Sequence, residues 1–253
     1  MMVKKLSFLL ILASQVVWAQ EWEFVTRNDL GQRITAIDVG TLGKVYVGTE
    51  RGNVYSFQAD GTEDKLFSSS VFQPVTSLDV SNGLKPFVFY ASSGEFEFLE
   101  RFSAQSRVYE VNDFGITSAD CASLGRDGTL WFVTGDDLVQ VQQQTGGIMS
   151  KTKVGKGHRG KAIKIKIGEQ PFILSDLGDL SFGDTILGSN VRGFSLTDDG
   201  LILLDNEGLK SYFRNYSDSG LSTPPKSNFS TVVRSGDYYH FIENESIFVY
   251  RMK

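Results

Sequence analysis

Cysteine is almost missing from this chain of 253 residues, which carries one, Cys121. A lone thiol excludes an internal disulfide framework and any cysteine-built metal centre, so stability has to come from buried apolar area. Histidine is scarce too: His158 and His240 are the only two, too few for a histidine-rich metal site. No Gly-x-Ser-x-Gly elbow occurs, and no nucleophile stands beside an identifiable base. Long apolar runs are absent beyond the first twenty residues, and no later segment keeps a helical period over three turns, which argues against a helix-rich fold. Excess positive charge is lacking as well. With 25 basic and 30 acidic residues the formal net charge is −5, and a general nucleic-acid binder is excluded on that ground.

What is present begins with an address. Lys4 and Lys5 precede a mostly apolar run from Leu6 to Val17, and Val17-Trp18-Ala19 offers a small-residue cleavage pattern before Gln20. This reads as a secretory signal peptide over residues 1–19, with no transmembrane segment left after cleavage and a periplasmic destination. Removing it takes the net charge to −7 and leaves residues 20–253 as one domain. The 41% hydrophobic content, with 19 Phe, is enough for a large core.

Self-similarity then decides the fold class. Ile34-Thr35-Ala36-Ile37-Asp38-Val39, Val75-Thr76-Ser77-Leu78-Asp79-Val80 and Ile116-Thr117-Ser118-Ala119-Asp120-Cys121 share one pattern at two equal intervals. Each is followed by a turn, an apolar strand, a second turn and another strand, as in Val45–Gly48 then Val54–Phe57, or Thr129–Val133 then Leu138–Val141. Looser copies start at Ala162, Val191 and Phe229, the fourth being the least regular. Six units over the mature length fit the spacing of about 40–45 residues expected for four-stranded propeller blades. The last unit has three obvious strands, while Glu21–Thr26 is an orphan strand at the other end. The expectation is therefore an all-β, single β-propeller of about six four-stranded blades, the amino-terminal strand closing the last blade and leaving no frayed edge there.

The stretch from Arg126 to Leu138, with an Asp127-Gly128 turn entering Leu130-Trp131 and a Thr134-Gly135 turn leaving the strand, resembles the repeat of two-component-regulator-type propellers. Tyr46–Thr49 with Gly52, Val54 and Tyr55 is a partial match, and Leu204–Leu209 a weaker one. In that family the propeller is a sensor module joined to a membrane span and a kinase, neither of which is visible in this sequence. In size and targeting the chain is similar to small exported envelope propellers of the Bacteroidota, among them the plug subunits of the type IX protein-secretion translocon. That resemblance implies a partner in the envelope, an outer-membrane translocon being the most concrete one.

Four features compete for a functional role. From Lys151 to Lys166 the sequence holds seven basic residues and no acid; read as an inter-blade loop, it is either a solvated connection or a docking element in which Lys151, Lys153, Lys156, Arg159 and Lys161 meet an acidic partner or anionic head groups. Gly155–Lys161 also spells the first seven places of a phosphate-binding loop, but Ala162 stands where a hydroxyl should bind magnesium and a strand pattern follows, so no nucleotide is expected. Asp38, Asp79 and Asp120 recur at matching positions; on one ring they would gather a cation, or each caps a turn. Aromatics crowd the second unit (Phe87, Phe89, Tyr90, Phe96, Phe98, Phe102) and the fifth (Tyr212, Phe213, Tyr216), as inter-blade packing would require. His240 is expected among Tyr238, Tyr239 and Phe241. A sialidase-type Asp box fails on spacing, because Ser123 lies four residues before Asp127. The resulting expectation is a non-catalytic protein-binding propeller without cofactor or metal; the alternative is an exported hydrolase or lyase with a carboxylate site at the central channel.

Overall fold

The computed structural model describes residues 21–69, 71–82, 85–99, 107–125, 127–213 and 218–253. The signal region, Phe102, Arg126 and Tyr216 lie outside them. Strand β1 (Trp22–Asp29) comes first. Blade 1 follows as β2 (Ile34–Val39), β3 (Val45–Thr49), β4 (Val54–Phe57) and β5 (Glu63–Phe67), and blade 2 as β6 (Ser77–Asp79), β7 (Phe87–Tyr90), β8 (Glu95–Phe98) and β9 (Val108–Glu110). Blade 3 is β10 (Cys121–Leu124), β11 (Thr129–Thr134), β12 (Asp137–Gln142) and β13 (Ile148–Lys153). Blade 4 is β14 (Ala162–Ile167), β15 (Pro171–Ser175), β16 (Leu180–Phe182) and β17 (Thr185–Gly188), so the irregular fourth unit is a complete blade. Blade 5 is β18 (Gly193–Thr197), β19 (Gly200–Leu204), β20 (Leu209–Phe213) and β21 (Asp218–Ser222). Blade 6 takes β22 (Thr231–Ser235), β23 (Tyr238–Glu243) and β24 (Ser246–Met252) from the carboxyl end, and β1 completes it in the order β1-β24-β23-β22.

Burial falls off from the second strand to the fourth along blades 1 to 4. All residues of β3, β7 and β19 are buried, because radial sheets are covered on both faces, and these strands read as continuous apolar runs such as Phe87-Val88-Phe89-Tyr90. The outermost β5 and β13 are mostly exposed and carry charged residues, which blunts their open edges. Six hydrophobic clusters fill the six seams between blades. Ile37 and Val47 meet Val233 and Val249 where blade 6 closes on blade 1, and Phe89 and Phe96 meet Leu130 and Phe132 between blades 2 and 3. Each seam therefore depends on both of its blades. Close approach is tight enough at Gly48 that a Cβ there would lie 2.6 Å from Val75 Cγ1.

The turn into β11 shows how local chemistry sets a strand. Asp127 Oδ1 accepts from the Thr129 backbone N–H (3.0 Å) and hydroxyl (2.6 Å), and Gly128 between them takes φ +79°, a left-handed value open to glycine.

The third copy of the repeat is out of register. Residues 116–120 form the connection between blades, where Ile116 and Ala119 tuck into the seam cluster after the 3-10 turn Val111–Phe114. The inner strand begins only at Cys121, and the position equivalent to Asp38 and Asp79 belongs to Ser123, paired to Trp131 as Asp38 is to Tyr46 and Asp79 to Phe87. Asp120 therefore sits at the opposite end of its strand from the ring that the sequence spacing suggested. His240 also departs from expectation: strand alternation turns Tyr239 and Phe241 into the seam with blade 5, while His240 faces blade 1.

Candidate functional site

The inner strands β2, β6, β10, β14, β18 and β22 surround the channel, and their carboxyl-terminal turns surround a cavity of about 790 Å³ at one mouth. Three buried charges form its floor. Lys166, from β14, places its Nζ 2.6 Å from Asp38 Oδ2 and 3.1 Å from Asp79 Oδ2. Blade 4 stands opposite blade 1 in a six-membered ring, so this side chain crosses the channel.

The two carboxylates are not equivalent. Asp79 Oδ2 accepts from the Ser123 hydroxyl at 2.5 Å, the Leu124 N–H at 3.2 Å and Lys166, while Oδ1 accepts from the Ser81 N–H at 3.0 Å. Burial alone would raise its pKa, but Lys166 and the Ser123 and Ser81 donors more than offset that and hold it below the usual carboxylate value. Among the described residues Asp38 accepts on one oxygen only: Oδ2 takes the Val80 N–H at 2.8 Å and Lys166 at 2.6 Å. With fewer donors, burial prevails over Lys166, and its carboxyl lies above the ordinary range. Each Asp thus accepts a backbone N–H of the next blade and holds the ammonium, and Asp79 also caps its own turn through the Ser81 N–H.

Lys164 is the second cation of the channel wall. Its Nζ donates to the Phe194 carbonyl at 2.7 Å and lies 4.9 Å from the centre of the Phe194 ring. Burial pushes its pKa down to about 8, with the positive charge of Lys166 acting in the same direction and Asp38 and Asp79 opposing. Lys166 moves the other way, since its two carboxylates outweigh burial. The rim is formed by the other turns, including Asp198 and Asp199 from β18–β19 and Arg234 from β22.

The basic segment is not one loop. Lys151 and Lys153 lie on the outer strand β13, where they pair with Asp137 at 3.0 and 2.8 Å. Arg159 pairs with Asp179 at 2.8 Å and Lys161 with Asp120 at 3.3 Å, while the Lys156 backbone N–H donates to Asp184 Oδ1 at 3.0 Å. Lys164 and Lys166 then turn inward on β14. The charge run is divided because a blade boundary passes through it, and most of its outer charges already have acidic partners. Asp120, proposed with Asp38 and Asp79 as a cation ligand, is occupied by Lys161 and by the Gly135 N–H at 3.0 Å.

Two elements of the site are unmarked in the sequence repeat, Lys166 and Ser123. Their signal lies in register: Lys166 pairs with Phe172 as Asp38 pairs with Tyr46, so an inner strand bearing Lys answers two bearing Asp.

Solved propellers share this fold. Virginiamycin B lyase from Staphylococcus aureus superposes with a TM-score of 0.62 at 11% identity over 92% of this chain and 100% of its own. The Pan2 WD40 domain of Neurospora crassa gives 0.63 at 9% identity over 92% and 96%, and the Cps50 (Swd1) β-propeller domain of Myceliophteria thermophila 0.59 at 10% over 92% and 100%. Sequence comparison matches the chain to no family model and to no curated protein. At these identities the superpositions speak for the propeller fold alone. Among the described residues no helix is long and apolar enough to cross a membrane.

Proposed function

We propose that this propeller is a non-catalytic docking subunit of the cell envelope, exported to the periplasm and acting as an accessory or plug component of an outer-membrane assembly of the type IX secretion kind. The observation that supports it most is the state of the channel carboxylates: Asp79 is filled by four donors and Asp38 shares Lys166 with it, so the channel is braced where a carboxylate catalyst would need free groups. What remains for function is the surface of turns on a ring closed through β1. Large apolar side chains are exposed on both faces, Leu42 in the β2–β3 turn at 81% and Phe72 in the connection between blades 1 and 2 at 82%. The export signal and the size add the envelope setting. Affinity purification from native envelope with mass spectrometry tests this reading: a stoichiometric outer-membrane partner is the expected result, and a chain that elutes alone after gentle cross-linking overturns it.

The second reading is an exported hydrolase or lyase, and one observation favours it. Asp38, with its raised pKa and one oxygen that has no donor among the described residues, has the attributes of a general acid beside an open cavity. The lyase among the structural neighbours makes the class reasonable on this fold. Turnover of an ester, lactone or glycan panel that disappears in Asp38→Asn would replace the docking reading with this one.

A further inference from the structure

Ring closure leaves β1 as the outermost strand of blade 6, and its free edge is unlike those of the other blades. Among the described residues β1 is hydrogen-bonded in a sheet to β24 alone. It is eight residues long, whereas β5, β9, β13, β17 and β21 run three to six. An edge of that length is a template for a further strand. Two adjoining apolar side chains on it, Phe24 and Val25, are 56% and 37% exposed.

The register decides which strand fits. The Lys253 N–H donates to the Glu21 carbonyl at 3.1 Å, and the Leu30 N–H to the Glu245 carbonyl at 3.0 Å. Antiparallel partners alternate between hydrogen-bonded and non-hydrogen-bonded pairs, so Trp22 and Phe24 at one end, and Arg27 and Asp29 at the other, turn their backbone N–H and C=O away from β24. The parity changes in between because the register shifts at a bulge between Phe24 and Thr26. A regular strand laid on this edge matches the free groups on one side of the bulge and misses those on the other. A mate with the same shift matches both, and a second β1 supplies it. Run antiparallel about a two-fold axis, Phe24 then meets Arg27 of the second copy, and Trp22 meets its Asp29.

Side-chain chemistry agrees with that register. The Phe24 ring lies 5.5 Å from the Tyr250 ring, and the Arg27 guanidinium 5.1 Å from the Phe248 ring. Both of those rings belong to the seam between blades 5 and 6, so Phe24 and Arg27 stand on one face of β1. A two-fold axis perpendicular to the sheet keeps that face common and sets each Phe24 beside a guanidinium of the other copy, twice per dimer. Arg27 also pairs with Asp29 of its own chain at 2.8 Å, and both side chains are about half exposed.

We infer that β1 is an association surface for a second copy of this chain, the two free edges pairing antiparallel so that blade 6 of each copy joins one eight-stranded sheet. Edge pairing buries less than a standard interface, so the dimer forms in the micromolar range. The inference concerns the rim of blade 6 and does not depend on the docking reading.

Sedimentation velocity of the mature chain from about 5 to 500 µM tests it. A concentration-dependent shift from monomer to dimer is expected, and a monomer at every concentration overturns the inference. Phe24→Lys sets an ammonium against Arg27 of the other copy in both pairs and should raise the dimer dissociation constant about tenfold or more, with the thermal midpoint unchanged because Phe24 is exposed. Arg27→Glu alone should weaken association too. Combining Phe24→Lys with Arg27→Glu restores opposite charges across the axis and should recover association relative to either single change. Dimerisation undiminished in Phe24→Lys, or a double variant no better than the singles, overturns the inference. Should Arg27→Glu fail to fold, because it also loses Asp29 and Ser246, Phe24→Tyr serves instead. It keeps the ring and should associate as wild type does, and equal association of Phe24→Tyr and Phe24→Lys overturns the inference.

Discussion

The basic run between Lys151 and Lys166 supplies two regions of opposite character. Its outer part, on β13 and the connection into blade 4, consists of solvated charges: Lys151 and Lys153 share Asp137, and their side chains are 60% and 73% exposed. Its inner part, one strand later, places Lys166 at 10% side-chain exposure between two carboxylates that are more buried still. Residues of one type, within sixteen positions, thus differ in what they do for the molecule. Exposed pairs hold long side chains against high dielectric and salt screening, and contribute little. A buried cluster has given up hydration on every member, so each depends on the others. Charge density in a sequence reports neither situation; the strand register decides.

The strongest test of that contrast removes Lys166. Lys166→Met leaves Asp38 and Asp79 buried without their common cation, and should cost about 3–5 kcal/mol in urea unfolding, the cost of breaking a buried pair. Adding Asp38→Asn should recover part of the loss by removing one stranded charge. A loss under about 1 kcal/mol would place the channel cluster with the surface pairs.

A buried group with no charged partner sharpens the comparison from another side. His240 is fully buried on β23, and among the described residues neither ring nitrogen has a hydrogen-bond partner of good geometry. Burial pushes its pKa down to about 4, with the Ala59 carbonyl and Asp60 opposing weakly. The folded chain keeps the imidazole neutral while the unfolded chain protonates it near 6.5, so stability falls as pH drops from 6.5 to 4, by about 3 kcal/mol at most. His240→Leu should flatten the pH dependence in that window relative to wild type. Lys164 gives the mirror case on the alkaline side. Its folded amine loses the proton near 8 and the unfolded one near 10.5, so its contribution to stability rises as pH climbs through that interval. Lys166, raised by its carboxylates, contributes fully below 10.5 and loses that contribution only at higher pH.

Within the cluster the two aspartates should differ. Asp79→Asn disturbs four donors and should cost about 1–3 kcal/mol, whereas Asp38→Asn, with one oxygen unused and a pKa already raised, should stay within about 1 kcal/mol. Equal costs in urea unfolding would mean that their unequal hydrogen bonding carries no energetic weight.

Much of this was legible in the residues. Continuous apolar second strands and glycine-marked turns repeat because every blade is covered on both faces, and that regularity gave six blades and the closing strand β1. The site was legible only in part. Asp38 and Asp79 were visible as a pair, but the third copy of the motif pointed to Asp120, since a pattern of residue types cannot show that five residues of it belong to a connection packed into a seam. Lys164 and Lys166 alternate with Ile163, Ile165 and Ile167 on the expected first strand of the fourth unit, yet counting their charge with the basic run beside them hides that they belong to the inner ring. Reading a blade's inner strand for charge opposite to that of other inner strands would have found the cluster.

The smallest effect on folding belongs to the outer region, and it is the one that bears on docking. Replacing Lys151, Lys153, Lys156, Arg159 and Lys161 together with Gln removes five positive charges, four of which pair with Asp137, Asp179 and Asp120. Those acids are solvated or retain other donors: Asp120 keeps the Gly135 N–H, and Asp179, itself buried, keeps the Ser189 hydroxyl at 2.9 Å. The urea midpoint should therefore move far less than in Lys166→Met. If this edge of blades 3 and 4 meets an acidic partner, the same variant should lower recovery of that partner from the envelope and flatten the salt dependence of what remains, because fewer charges are then screened. Unchanged recovery and an unchanged salt slope would assign these charges to the solvated surface.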